Sequence, residues 1–256
     1  MDYAERAAKH ILEALIPGAR MVYRTAQSTG GHDFDLTYAD GTTVPVEVTA
    51  SMDPVQVQTY AAITKQGGLV PRQRCQLDWL VHPLPGANIK RIREEIDDYL
   101  ADVERDGLSY FHTHAHAYMY QSVDRLRQDL DVESAGVVKL KQPGIRIGYP
   151  GTGGAVGAEC AVEAIDLEAH KDDNRRKLAA TRAPARHLFV YVDALNFLPW
   201  VGVRDFDPAG HTPALPEEIT DVWAAAGAGR PTRCTVWRGD STGWRSVGAV
   251  VMDDDG

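Results

Sequence analysis

The stretch "GGHDFDLTYADGTTVPVEVTAS", residues 30–51, decides how the first part of the chain folds. Apolar side chains alternate with polar ones on both sides of "ADGT", at Phe34, Leu36 and Tyr38 and then at Val44, Val46 and Val48. A period of two is typical of strands with one buried face, and a glycine in a short connection indicates a hairpin. Burying both apolar sets on one side requires an odd loop, residues 39–41, with Gly41 in the left-handed conformation.

This register gathers three acids on the other face of the hairpin. Residue 33 lies opposite residue 47, so Asp33 and Glu47 have Cβ atoms about 4.5–5.5 Å apart, and Asp35 lies two positions along the same face. Carboxylates so placed repel each other unless a cation or a proton lies between them. Mg²⁺ takes one or two carboxylates together with waters and substrate phosphates. The hairpin therefore predicts a divalent-metal site, and the alternative is the ordinary solvated face of a half-buried hairpin.

Composition limits the class of protein. The chain has 256 residues and a formal net charge of −9, which argues against a protein that coats nucleic acid nonspecifically but not against a nuclease with local basic residues. Three scattered cysteines, Cys75, Cys160 and Cys234, indicate a reducing compartment. No segment approaches the roughly 20 apolar residues of a membrane span, and the N-terminal stretch lacks the features of a signal peptide. We expect a cytoplasmic protein without a membrane partner.

Alternating helices and strands predict a single α/β domain, residues 1–256, with a core at 1–205 and a C-terminal hairpin elaboration at 206–256. Amphipathic or capped segments predict helices at residues 2–15, 53–66, 88–107, 122–130, 166–181 and 216–226. Apolar or alternating segments predict strands at 20–26, 76–83, 108–120, 135–140, 144–149 and 186–195, and a second hairpin at 233–250.

An acid on one strand, Asp33 or Asp35, is followed after the turn by "EVT" at residues 47–49, and a helix and a strand flank the hairpin on each side. This pattern resembles the PD-(D/E)XK nuclease superfamily. The resemblance implies a restriction-endonuclease-like fold, a mixed β-sheet flanked by helices. It implies Asp35 and Glu47 as Mg²⁺ (or Mn²⁺) ligands, the carbonyl of Val48 as a third, and Asp33 in an assisting role. The spacing of Gln56 and Tyr60 resembles the helicase-linked exonuclease branch, although a simple amphipathic helix has the same spacing.

The family's lysine position is Thr49 here, and a threonine could at most hydrogen-bond the attacking water. Some members carry the lysine on a neighbouring helix. Lys65 follows Gln56 by nine residues and so lies on the opposite side of that helix. Lys171 lies on the apolar stripe of its predicted helix beside Asn174, and we predict it as the catalytic lysine; the alternative is that its long stem carries the ammonium to solvent.

One segment of this acidic chain is strongly basic and is a candidate for phosphate contacts. It contains Arg175, Arg176, Lys177, Arg182 and Arg186. A solvated helix face explains it equally well.

Two further motifs carry weaker predictions. "HTHAHAY" places His112, His114 and His116 on one face if it is a strand, a spacing compatible with zinc and also with an ordinary polar-aromatic surface. "GTGGAVG", residues 151–157, resembles a phosphate-binding loop only loosely, since its last glycine comes one place late, and we expect a turn there.

The first functional hypothesis is a Mg²⁺-dependent nuclease or phosphodiesterase acting on DNA or RNA. The second is a catalytically inactive nuclease-fold protein that binds or scaffolds protein partners, and the third is a zinc hydrolase built on the histidines. The sequence leaves open the nucleic acid type, the cleavage position and the oligomeric state.

Overall fold

The computed structural model of the protein describes residues 1–24, 31–148, 157–228 and 232–252. Its helices are α1 Tyr3–Leu15, α2 Pro54–Gln66, α3 Ile89–Arg105, α4 Thr113–His116, α5 Gln121–Leu130, α6 Ala158–Ala169, α7 Asp172–Ala180 and α8 Phe197–Asp205. Its strands are β1 Arg20–Tyr23, β2 Phe34–Thr37, β3 Thr43–Ser51, β4 Leu69–Val70, β5 Trp79–Pro83, β6 Tyr110–His112, β7 Val132–Val137, β8 Ile145–Ile147, β9 His187–Val192, β10 Asp221–Ala228, β11 Thr232–Asp240 and β12 Gly243–Met252.

The chain forms an α/β structure of two compact units, each with its own mixed sheet flanked by helices. Unit 1 comprises residues 1–52 and 155–256, and unit 2 comprises residues 53–154. This division differs from the expected single domain with a boundary at residue 205. Unit 2 is inserted between β3 and α6, whereas β10, β11 and β12 extend the sheet of unit 1.

Unit 1 is built on a seven-stranded sheet in the order β1-β2-β3-β9-β10-β11-β12. β9 lies parallel to β3 and to β10, and the remaining pairs are antiparallel. All six residues of β9 are buried, which is the continuous apolar pattern of a central strand covered on both faces.

Helices cover both faces of that sheet. α1 packs on one face because Ala4, Ala7, Ala8, Ile11 and Leu12 recur at helical spacing and are buried there against β2, β3 and β9. Asp2 and Glu5 form the capping box that starts α1. α6, α7 and α8 contribute to the apolar core on the opposite face, which is the face that carries the polar side chains of β3.

Unit 2 holds a five-stranded sheet in the order β4-β8-β5-β7-β6. Its core collects the apolar stripe of α3, which consists of Ile89, Ile92, Ile96, Leu100 and Val103, with Trp79, Phe111 and Leu126. Asp53 caps α2 and Pro54 occupies its first position, as the sequence predicts.

Three predicted elements differ in the structure. Residues 221–228 form β10 instead of helix, because pairing with β9 and β11 on both sides overrides the helix propensity of the alanines. The predicted strand at 108–120 stops at His112 and continues as the short helix α4. The predicted helix at 166–181 breaks into α6 and α7, with His170 and Lys171 between them.

The loop motif at residues 151–157 lies almost wholly outside the described residues. Among the residues that the structure describes, no helix has the length and apolar character needed to cross a membrane.

Candidate functional site

The hairpin has the register that the sequence predicts. Phe34 pairs with Val46 and Thr37 with Thr43, and Gly41 adopts φ 86° in the loop. Asp33, which directly precedes β2, therefore lies opposite Glu47 on the central part of β3. Since Val46 belongs to the core under α1, Glu47 projects from the other face of the sheet, towards α7.

Glu47 is the centre of the site. It is a carboxylate with 1% exposure in the middle of a β-sheet, and its Oε1 accepts a hydrogen bond of 2.6 Å from Nζ of Lys177 on α7. Its Oε2 is buried and has no hydrogen-bond partner among the described residues. The same lysine lies 3.0 Å from Oδ2 of Asp173, one helical turn earlier. One oxygen of a buried acid is thus bound to a cation and the other is left open.

Asp33 is the second carboxylate of the site. It is half-buried, and its Oδ2 accepts a hydrogen bond of 2.9 Å from the backbone N–H of Val48. The Glu47 carboxylate is its neighbour across the hairpin, and the two charges repel each other. The two acids and Lys177 form the cluster that we call the Glu47 site.

Burial and charge shift the pKa values of all three groups. Burial raises the pKa of Glu47 to about 8, because the hydrogen bond from Lys177 offsets only part of the desolvation and Asp33 adds repulsion. Burial also raises the pKa of Asp33, against the opposing effects of the Val48 N–H and Lys177. Burial disfavours the charged form of Lys177, but its hydrogen bonds to Glu47 and Asp173 outweigh this and raise its pKa. The site therefore holds a permanent cation beside two acids that ionise reluctantly.

A second carboxylate–lysine pair lies along the same strand. Thr49 follows Glu47 by two residues on β3, and its hydroxyl donates a 3.0 Å hydrogen bond to Oε2 of Glu168 on α6. Glu168 is 5% exposed, and Nζ of Lys171 lies 2.7 Å from its Oε1 and 2.6 Å from its Oε2. We call this group the Glu168 site.

Asp35 does not belong to either group. It shares a face of the hairpin with Asp33, as predicted, but its carboxylate receives hydrogen bonds from Nε of Arg24 at 2.6 Å and Nε2 of His32 at 2.7 Å. Burial disfavours its ionisation, yet these two bonds prevail and lower its pKa. Its pairing position is opposite Pro45, further from the centre of the sheet, so the geometry favours Asp33 over Asp35 as the partner of Glu47.

The lysine that contacts Glu47 is Lys177, not the predicted Lys171. Lys171 binds Glu168 instead of Glu47, because the helix breaks at this residue and the helical phase used to orient it does not continue. Lys65 and Gln56 both belong to unit 2, on α2, where Lys65 is exposed and Gln56 is buried. Lys177, which the sequence placed among the candidate phosphate contacts, occupies the position next to Glu47.

Most of the remaining basic side chains of that segment bind acids or carbonyls of the protein. Arg175 makes a two-point ion pair with Glu218, at 3.0 and 3.2 Å. Arg176 pairs with Asp173, and Arg186 donates to the carbonyl of Glu217. Arg182 is exposed with φ 53°. The segment is therefore largely neutralised and is not a bare basic strip.

The three histidines do not share a strand face. His112 ends β6, whereas His114 and His116 lie on α4, and Nδ1 of His116 contacts the backbone of His112. In the described part of the chain, no group of three or more His, Cys, Asp or Glu side chains is placed to hold a metal ion. Because the three side chains are not on one strand face, their spacing gives no support for a zinc site.

Sequence reasoning missed Asp173, Glu168 and the role of Lys177. A signal for Lys177 was present: Asn174 and Leu178 are the buried residues of α7, and Lys177 lies on the edge of the same face. Asp172 and Asp173 favour a helix N-terminus at this point, and a helix that starts at Asp172 places Lys177 next to the buried face of Asn174 and Leu178.

Comparison with known proteins identified no relative of this chain. No protein-family model matches the chain, and no significant match was found among curated proteins or among solved structures.

Proposed function

We propose that the protein is a Mg²⁺-dependent phosphodiesterase that acts on nucleic acid, with Asp33, Glu47 and Lys177 as its catalytic residues. The observation that supports this most is the buried Glu47 carboxylate: one oxygen binds a lysine, and the other, beside a second acid, has no partner in the described ranges of the chain. Burying a carboxylate in this manner costs several kcal/mol unless its charge is compensated. Perturbed acids of this kind cluster at functional sites.

The order of elements in unit 1 supports a restriction-endonuclease-like core. A helix (α1) precedes three antiparallel strands (β1, β2, β3), and a central strand (β9) lies parallel to β3 after the helices α6 and α7. The resemblance names Asp35 and Glu47 as the metal ligands; our proposal keeps Glu47 and takes Asp33 in place of Asp35, because Asp33 lies opposite Glu47 whereas Asp35 is bound to Arg24 and His32. Lys177 supplies from a helix the cation that Thr49 cannot supply from the strand.

The donor set fits a magnesium ion. Glu47 Oε2 is a free, buried, hard oxygen donor, and Asp33 retains one carboxylate oxygen outside its bond to Val48. Two carboxylates with a backbone carbonyl, that of Val48, are within the range of ligands that Mg²⁺ uses when waters and phosphates complete its shell. The bound ion would polarise a phosphate oxygen and lower the pKa of a water.

The remaining charge stabilisation would come from side chains of the protein, above all from Lys177. Glu47 and Asp173 use two of the three donors of the Lys177 ammonium. Within the described part of the chain the third has no partner, and we assign it to charge that develops on a phosphate oxygen. Asp173 and Glu47 fix the direction of that ammonium. Thr49 is bound to Glu168, so we assign it no catalytic role.

A cleavage assay tests the proposal. Labelled single- and double-stranded DNA and RNA are incubated with Mg²⁺ or Mn²⁺, and the wild type is compared with Glu47→Gln and Lys177→Met. We expect metal-dependent cleavage that each variant lowers at least about 100-fold, the effect of removing one group that stabilises the transition state.

Asp35→Asn is the matched control, because it removes a carboxylate from the same face of the hairpin without touching the Glu47 site. Its cleavage rate should remain near that of the wild type. Binding of nucleic acid or of a protein without any cleavage would favour the alternative function, a catalytically inactive nuclease-fold binding protein. Equal cleavage by the wild type and Glu47→Gln would disprove the assigned site.

A further inference from the structure

The Glu168 site is more than an ordinary surface ion pair. Its carboxylate is 5% exposed, yet the lysine that neutralises it has a side chain that is 54% exposed. Surface pairs leave both partners in water, whereas here the acid is fixed inside the fold by the Thr49 hydroxyl. The acid therefore holds an otherwise mobile ammonium at one position on the surface.

The position of this ammonium is defined relative to the Glu47 site. Thr49 follows Glu47 by two residues on the same face of β3, an advance of about 6.7 Å along an extended strand. The two lysines also come from one segment, since Lys171 caps the N-terminus of α7 and Lys177 lies within it. Both carboxylate–lysine pairs therefore line the same side of β3, one step apart.

The two lysines differ in exposure in a way that fits two roles. The Lys177 side chain is 22% exposed and is shared between two acids, as suits a group that contacts one reacting phosphate. Among the residues that the structure describes, Lys171 meets a single carboxylate, whose two oxygens take two of its three donors. An exposed, prepositioned ammonium recognises a phosphate without a large loss of side-chain entropy.

We propose that Lys171, positioned by Glu168 and Thr49, binds the phosphate group adjacent to the one that occupies the Glu47 site. This inference rests on the proposed function and extends it to the substrate class. The substrate is a strand with phosphates in succession, and an isolated phosphodiester lacks the group that Lys171 binds. Lys171 is then a binding residue for the neighbouring nucleotide and takes no part in the reaction itself.

The salt dependence of binding tests the contact without any need for catalysis. A fluorescein-labelled single-stranded oligodeoxynucleotide is titrated with protein at several KCl concentrations, and anisotropy gives the association constant. Each phosphate contact to a single strand contributes about 0.7 to the slope of log K against log salt. We expect Lys171→Met to make the slope shallower by about 0.7, Lys171→Arg to retain it, and Lys90→Met, an exposed lysine on α3, to leave it unchanged.

Lys171→Met alone leaves Glu168 as an uncompensated buried acid. The double variant Glu168→Gln/Lys171→Met removes both charges together and should show the same loss of slope with a folded protein, checked by circular dichroism. The proposal is overturned if Lys171→Met and the double variant both have the slope of Lys90→Met. It is also overturned if binding by the wild type does not depend on salt.

A kinetic comparison separates this proposal from the proposed function. With bis(4-nitrophenyl) phosphate, a single phosphodiester, the double variant Glu168→Gln/Lys171→Met should lose about tenfold less kcat/KM than it loses with the oligonucleotide. With the oligonucleotide its KM should rise about tenfold with kcat unchanged, as for loss of one charge-assisted hydrogen bond. Absence of cleavage of either substrate by the wild type would refute the phosphodiesterase while the binding data still decide the phosphate contact.

Discussion

Replacing Lys177 by Met should change how the stability of the protein depends on pH, by an amount that follows from the Glu47 site. Glu47 has a folded-state pKa of about 8 against an ordinary value of 4.5. Because the folded-state pKa is raised, the contribution of Glu47 to the free energy of unfolding is fully present below pH 4.5 and is lost as the pH rises to 8. Each pH unit in that window lowers the free energy of unfolding by about 1.4 kcal/mol, because the folded state binds one proton more than the unfolded state.

Without the ammonium, the pKa of Glu47 rises above 8, so the loss of stability continues past pH 8 where that of the wild type levels off. Between pH 8 and pH 9 the variant should lose about 1.4 kcal/mol and the wild type, half ionised at pH 8, about 0.4 kcal/mol, so the gap between them should widen by about 1 kcal/mol. The raised pKa of Lys177 itself affects only pH values above 10.5, outside this window. The side chains are 22% and 2% exposed, so solvent screens the pair weakly.

Urea unfolding at pH 6, 7, 8 and 9, followed by tryptophan fluorescence, measures this gap. Unit 1 contains four tryptophans, Trp200, Trp223, Trp237 and Trp244. Glu47→Gln is the control, because it lacks the titrating group and its stability should lose this pH dependence. A constant difference between Lys177→Met and the wild type from pH 6 to pH 9 would refute the coupling of Lys177 to a buried, titrating Glu47.

Three other outcomes are expected. Asp35→Asn should change the free energy of unfolding by less than about 1 kcal/mol in urea, since its Arg24 partner is mostly exposed; a larger loss would mean that Asp35 has a structural role beyond this pair. Asp97→Ala should destabilise unit 2 by about 2–3 kcal/mol, measured by urea unfolding, because the backbone N–H groups of Gln73, Arg74 and Cys75 lose their acceptor; an unchanged midpoint would contradict this. Asp221→Asn should destabilise unit 1 at pH 7, because burial opposes the charge of Asp221 but His187 and Arg238 lower its pKa well below 3.8. The contribution of the Asp221 charge to stability is present above pH 3.8 and is lost as the pH falls below it. In an acid titration followed by circular dichroism, the stabilities of the variant and the wild type should therefore approach each other.

The hairpin was predictable because its information is local. The alternation of apolar residues and the glycine at position 41 fix the register, and with it the opposition of Asp33 and Glu47. The stripe of α3 and the caps of α1 and α2 are local in the same sense. These elements follow from the sequence because each depends on neighbours a few residues away.

The rest of the site depends on contacts between distant segments. Lys177 lies 130 residues after the acid that it binds, and no local pattern indicates that pairing. The break between α6 and α7 changes which lysine contacts Glu47. A single helix continued through Lys171 would turn Lys171 towards the core, whereas a helix that starts at Asp172 places Lys177 beside Glu47. The strand β10 is alanine-rich and becomes a strand because β9 and β11 lie beside it.

The insertion of unit 2 between β3 and α6 has a consequence for synthesis. Residues 53–154 are continuous in the chain, and the described residues among them enclose their own core, so this unit is synthesised in full before α6 begins. The sheet of unit 1 lacks its central strand until β9 emerges, and Glu47 has no counter-charge until Lys177 does. Unit 1 is thus completed last, although its acids are made first, and a ribosome-bound chain ending before residue 177 carries those acids without the lysine that neutralises them.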